Sequence, residues 1–403
     1  MAQQHLDPTD PVAEASPKLS AALELGGAPI GDALAGYLRA QATEFLRALR
    51  LHRETGGDGG APARAKARAG DNGSQESVDA ARALRRSARR VSASLHTFRP
   101  LLDTDWSEAI RPELAWLSGT LAMEHAYAAR LERLLLALHR LSGAAVLPAQ
   151  TGVLGGAGAP SDGSRTAGVT AGAQKAAAGD TGPPAHPAAT VERGNLTVGA
   201  AKAGALLERQ LTLARTRAHS TALQALGSSR FHAVADNIAV LASEVPLTPA
   251  ATTADLRPLA GAAEERLTDA VAALPLVTAG NPYNAEALIH GLSPDPAPHP
   301  QDAPWHQVRL LLRLHRYARE VLHGDSAPVD VRLLAAGQAL NRHRDASEAA
   351  AAAAQAARTP RIAPATAYAL GVLHADQRHE VEAARFAFQQ SWQMQTVGTP
   401  QRP

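Results

Sequence analysis

Two stretches of the chain repeat one file of cations. Arg82, Arg85 and Arg89 stand at offsets 0, 3 and 7, and His306, Arg309 and Arg313 stand at the same offsets 224 residues later. On an α-helix those offsets fall on one side, so each stretch presents a line of positive charge. In the second stretch, "PWHQVRLLLRLHRYAREVL", Arg316 and Tyr317 join the file within roughly 100° of arc. Leu310, Leu311, Leu312, Leu314, Val321 and Leu322 occupy the rest. In the first, "ARALRRSARRVSASLHTFRPLLD", His96 extends the file, Arg86 and Arg90 widen it, and Leu84, Val91 and Leu95 project to the opposite side.

The chemistry open to such files is anion binding. A guanidinium offers a planar fork of donors suited to carboxylate or phosphate oxygens, and it keeps its charge when partly buried. From Arg82 to Arg99 the chain has six arginines and no acid. Like charges three and four apart destabilise an isolated helix by about 0.2–0.5 kcal/mol per pair, so acids from elsewhere or a bound polyanion must offset them. A linear polyanion fits two facing files: inorganic polyphosphate, a nucleic acid or an acidic protein tail. Base readout is not expected, because Tyr317 and Phe98 are isolated aromatics and no helix-turn-helix pattern appears.

Other chemistries lack their signatures. There is no phosphate-loop motif, no His-Glu-x-x-His and no Gly-x-Ser-x-Gly. His374 and His379 lie five apart, a poor spacing for metal ligands on a helix, so neither a metal nor a cofactor is expected. No general base or nucleophile accompanies the arginines, which points to a binding module and not an enzyme.

The elements that must position the files are helical. The 403-residue chain has no cysteine, 36 Arg against 4 Lys, and only 3% aromatic residues. Helical periodicity marks 31–53, 76–98, 107–142, 198–226, 229–244, 253–273, 303–323, 329–358 and 364–394, with no period-two run. Residues 54–75 and 144–197 are rich in Gly, Ala, Pro and Ser and are expected to be disordered, as are tails 1–28 and 396–403. The expectation is an all-α protein with one bundle at 29–143 and another at 198–395. With no signal peptide and no apolar run long enough to span a bilayer, a soluble cytoplasmic protein is expected, with no membrane partner.

The two files resemble the signature helices of the CHAD family, the conserved histidine α-helical domain. "HQVRLLLRLHRY" matches that family's His-x-x-Arg-x-x-x-Arg/Lys pattern closely, whereas Arg82 stands where the first signature has its histidine. "RPELAWLSGTLAMEHAYAARLERL" is similar to the next helices of the family, with His125 and Ala126 where Arg-Asp is usual. The resemblance implies two pseudo-symmetric antiparallel helical bundles around a basic central pore that binds inorganic polyphosphate and can carry a protein to polyphosphate granules. The residues implied are Arg82, Arg85, Arg89, Arg90, His96, His306, Arg309, Arg313, Arg316 and Tyr317. Nucleic acid is not an expected ligand. The competing readings are a scaffold of the same fold that no longer binds, and an enzyme acting on polyphosphate.

Overall fold

Each segment of helical periodicity contains an α-helix, although 253–256, expected to open one, form a turn before Arg257. The computed structural model describes residues 30–56, 72–143, 187–281, 283, 285–292, 299–324 and 329–393. Its α-helices are α1 (Ile30–Gly56), α2 (Asn72–Thr97), α3 (Thr104–Leu141), α4 (Pro187–Leu226), α5 (Ser229–Ser243), α6 (Arg257–Ala272), α7 (Leu276–Ala279), α8 (Ala285–Gly291), α9 (Ala303–His323), α10 (Val331–Ala357) and α11 (Pro364–Gln393). Short 3₁₀ turns join some of them, and among the described residues extended pairing is limited to one antiparallel bridge between Leu102 and Leu247. The fold is all-α. No helix among the described residues is long and apolar enough to cross a membrane.

Several helices begin at side chains that satisfy the free backbone donors of a first turn. Asp103 accepts from Trp106 N at 2.8 Å, Ser228 from Phe231 N at 3.2 Å, and Asp330 from Leu333 N at 3.1 Å. Three helices outrun the expected boundaries. α1 reaches Gly56, α2 starts at Asn72 and α4 starts at Pro187, so 54–56, 72–75 and 187–197 are helical where disorder was expected. Pro187 suits a first turn, and α4 docks closely soon afterwards: a Cβ on Gly199 would lie 2.1 Å from the Ala365 carbonyl oxygen. Most of the expected disorder, 57–71 and 144–186, and both tails lie outside the described residues.

The apolar core is shared across the expected boundary between bundles. Its first cluster joins Leu38, Phe45, Leu84, Val91 and Leu114 of α1–α3 to Phe231 and Ile238 of α5 and to Ala318 and Val321 of α9. A second packs the C-terminal half of α3 (Leu134, Leu138) on α4, α10 and α11, and a third holds Trp305, Val308 and Leu312 of α9 against α10 and Phe388. Thus α3 and α9 each bridge two clusters, which fixes their mutual position. The "EAAAAAAQAAR" run, residues 348–358, forms the packing seam of α10: Ala349, Ala350, Ala353 and Ala356 are buried and let α11 approach closely. Leu310, expected on the apolar side of its helix, is instead 46% exposed beside the cationic file.

Candidate anion-binding site

Facing one another, α2 and α9 form with α3 and α10 a cleft of about 480 Å³. Arg85 and Arg89 enter it from α2, and Arg309, Arg313, Arg316 and Tyr317 enter from α9. Each helix keeps its opposite side in the core: Leu84, Val91 and Leu95 of α2 are fully buried, as are Val308, Ala318 and Val321 of α9 within 3%. Packing therefore aims both files at the same space.

The five arginines are bound to no carboxylate of the described residues. Among the described residues none of Arg85, Arg89, Arg309, Arg313 and Arg316 forms an ion pair, and Nε and Nη1 of Arg309 are buried without a hydrogen-bond partner. Burial and the neighbouring Arg85 and Arg313 push the Arg89 guanidinium down to about 9. Burial, Arg313 and Arg344 push Arg309 down to about 10, although Glu348 and Asp345 act against the change. Arg85 and Arg313 shift in the same direction, burial being the largest cause and Arg344 contributing to both. These groups stay cationic at neutral pH, so the cleft concentrates positive charge under partial desolvation.

A second set of cations lines the cleft from α3 and α10, and these are compensated. Arg130 meets Glu348 at 2.5 Å, and Arg133 donates to Gln377 at 2.6 Å with Glu380 at 3.5 Å. Arg344 is hydrogen-bonded to Asp345, with Glu348 at 3.8 Å. His125 also lines the cleft. The signal for the α10 wall was in the sequence: Asn341, Arg344, Asp345 and Glu348 stand at offsets 0, 3, 4 and 7, one polar helical stripe that resembles a solvated face.

Four expected residues do not line this space. Arg82 is exposed and pairs with Asp79 at 2.9 Å. Arg90 lies behind the cleft, 2.8 Å from Glu320, which also accepts from the Tyr37 hydroxyl at 3.1 Å. His96 is exposed near the end of α2, in the field of Arg111, Arg266, Arg99 and Glu108. His306 sits beneath the file with its ring edge-on to His343 at 5.5 Å and its Nε2 buried without a partner.

His306 rests on a buried polar node that sequence reading missed. Asp302, fully buried just before α9, accepts from Arg378 at 2.7 and 3.1 Å, from Arg385 at 2.7 Å and from the Ser347 hydroxyl. Burial favours its neutral form, but the Arg378 hydrogen bonds and charge win and hold the carboxyl well below the usual range. Burial beside Arg385 keeps His343 neutral. The node ties the start of α9 to α10 and α11 and so sets the angle at which Arg309 and Arg313 enter the cleft. Among the described residues no group of three or more His, Asp or Glu is placed to hold a metal ion.

Comparison with known proteins agrees with this architecture. A CHAD domain family model matches residues 60–354. The structure is similar to that of PptA from Streptomyces chartreusis, with a TM-score of 0.66 and 68% sequence identity, covering 91% of this chain and 100% of that one. A search of curated proteins gives no match. The extent of the family match, together with that identity over nearly the whole chain, establishes that the chain belongs to the CHAD family.

Proposed function

We propose that the chain binds inorganic polyphosphate in the arginine cleft without cleaving it. The observation that carries this reading is that five arginines from two helices share one cleft and none has a carboxylate partner among the described residues. Partly desolvated guanidiniums without a carboxylate partner favour an external anion. Polyphosphate supplies it in the matching form, a thin chain of phosphates with no base to read. The cleft has the size of a small-ligand site and not of a surface for a duplex. Family membership supports the same ligand. The pore of the fold, its two-bundle symmetry and delivery of the protein to polyphosphate granules belong to this proposal.

The test is titration with polyphosphate of defined length and with duplex DNA of equal charge, while released phosphate is monitored. Length-dependent binding, lost at least about a hundredfold in Arg309→Ala/Arg313→Ala and falling steeply with salt, is the expected result. Phosphate release would assign an enzyme, preference for DNA would assign a nucleic-acid binder, and no binding near physiological salt would leave a scaffold.

A further inference from the structure

Resting on the polyphosphate reading, we propose that His125 is a proton-linked cation of the cleft, taking up a proton as polyphosphate enters so that binding tightens as pH falls. His125 is the one histidine among the residues that line the cleft; the cations around it are arginines, which do not titrate near neutrality. His306 and His343 lie behind the lining.

The groups that act on His125 come from three helices. His125 is exposed at the edge of the cleft, yet partial desolvation there is the main influence against its protonated form; Arg82 and Arg85 of α2 add to it, while Glu124 of its own helix and Asp345 of α10 favour the charge. The two acids are largely engaged elsewhere. Glu124 is held by His219 at 2.9 Å and by Arg215 at 3.9 Å, both from α4, and Asp345 is held by Arg344. Without a bound anion the imidazole therefore titrates below its ordinary value. A polyanion reverses the local field: its oxygens neutralise Arg85 and offer acceptors to an imidazolium. By linkage, a proton taken up on binding makes affinity rise with acidity.

Arg82, the first cation of its file, acts on His125 across from α2. Arg82 is held by Asp79 outside the lining, so this corner presents its titratable group to the ligand. The consequence is a binding strength that depends on pH, which an arginine at the same place would not give.

The test is affinity for long-chain polyphosphate from about pH 8 to pH 6 at constant ionic strength, the long chain minimising the share of terminal phosphates that titrate in this range. The expected result is about five- to tenfold tighter binding of the wild type at the acid end, a flat profile for His125→Gln, and tight, flat binding for His125→Arg. Proton uptake, measured calorimetrically in two buffers, must vanish in His125→Gln, and the His125 ring resonance must titrate at higher pH once polyphosphate is bound. Circular dichroism checks that each variant folds. A His125→Gln profile that parallels the wild type overturns the proposal while leaving polyphosphate binding intact. Absence of wild-type binding at both ends of the range overturns the functional reading, and this inference with it.

Discussion

A cleft of unpaired arginines must cost the folded protein stability, and Arg89→Met measures that cost. Methionine keeps an unbranched apolar stem of similar length in the cleft wall while removing the charge. Holding Arg89 at about 9 against an ordinary 12.5 corresponds to at most about 5 kcal/mol. The cleft is open to water, so solvent and counterions reduce this to about 1–2 kcal/mol. The sign follows from the direction of the shift. A cation whose folded value is depressed destabilises the fold throughout the range below about 9, and the penalty is relieved only as pH rises beyond it. At neutral pH and low salt, without polyanion, Arg89→Met is therefore expected to unfold about 2–3 °C above the wild type, and added salt should narrow the gap. With polyphosphate at about a hundred times its dissociation constant the wild type gains about 2.7 kcal/mol, and the order reverses. Urea or thermal unfolding followed by circular dichroism is sufficient. A variant less stable than the wild type at low salt, with a gap indifferent to salt, would show that the cleft is compensated from within.

Two further outcomes test the frame around the cleft. Asp302→Asn should cost about 3–5 kcal/mol in chemical denaturation, because it leaves Arg378 and Arg385 buried without their shared anion; as the carboxyl is depressed in the fold, the wild type should lose this contribution only as pH falls below about 4. Gly199→Ala should cost about 1–3 kcal/mol, since its Cβ would meet the Ala365 carbonyl oxygen and force α4 away from α11.

How far the sequence could be read depended on the range of the interaction concerned. Periodicity located most long helices to within a few residues, as at 303–323, because it acts over one or two turns, although α4 begins at Pro187, eleven residues before its expected start. The files were legible for the same reason: Arg85 with Arg89, and Arg309 with Arg313, are one turn apart. Pairing across helices was not. Nothing near Arg90 announces that Glu320, 230 residues away, takes its charge out of the file. The node of Asp302, His343, Arg378 and Arg385 draws on three separate regions, and its arginines lie in a helix whose sequence reads as an ordinary mixed surface. The extension of a file along its own helix also says nothing of where the facing helix ends, which is why His96 continues the pattern but leaves the cleft.

The arginines of this chain thus divide by partner, and the division explains how two repelling files stay together. Arg90 is clamped to Glu320 with Tyr37 closing the contact, and beside it Ala93 packs on Leu314 and Tyr317 between the same two helices. Further along α9, Asp302 secures the helix start through Arg378 and Arg385. The unpaired arginines lie between these two fastenings, so their repulsion is borne by the fold before any ligand arrives. A flexible basic segment would instead have to collect its charges around the anion during binding, at a cost of about 0.5–1.5 kcal/mol for each side chain immobilised. Here that ordering is supplied by alanine seams, a carboxylate clamp and one buried node. What remains for the ligand is to neutralise a field already in place, which favours a polymer that offers a negative charge at every repeat.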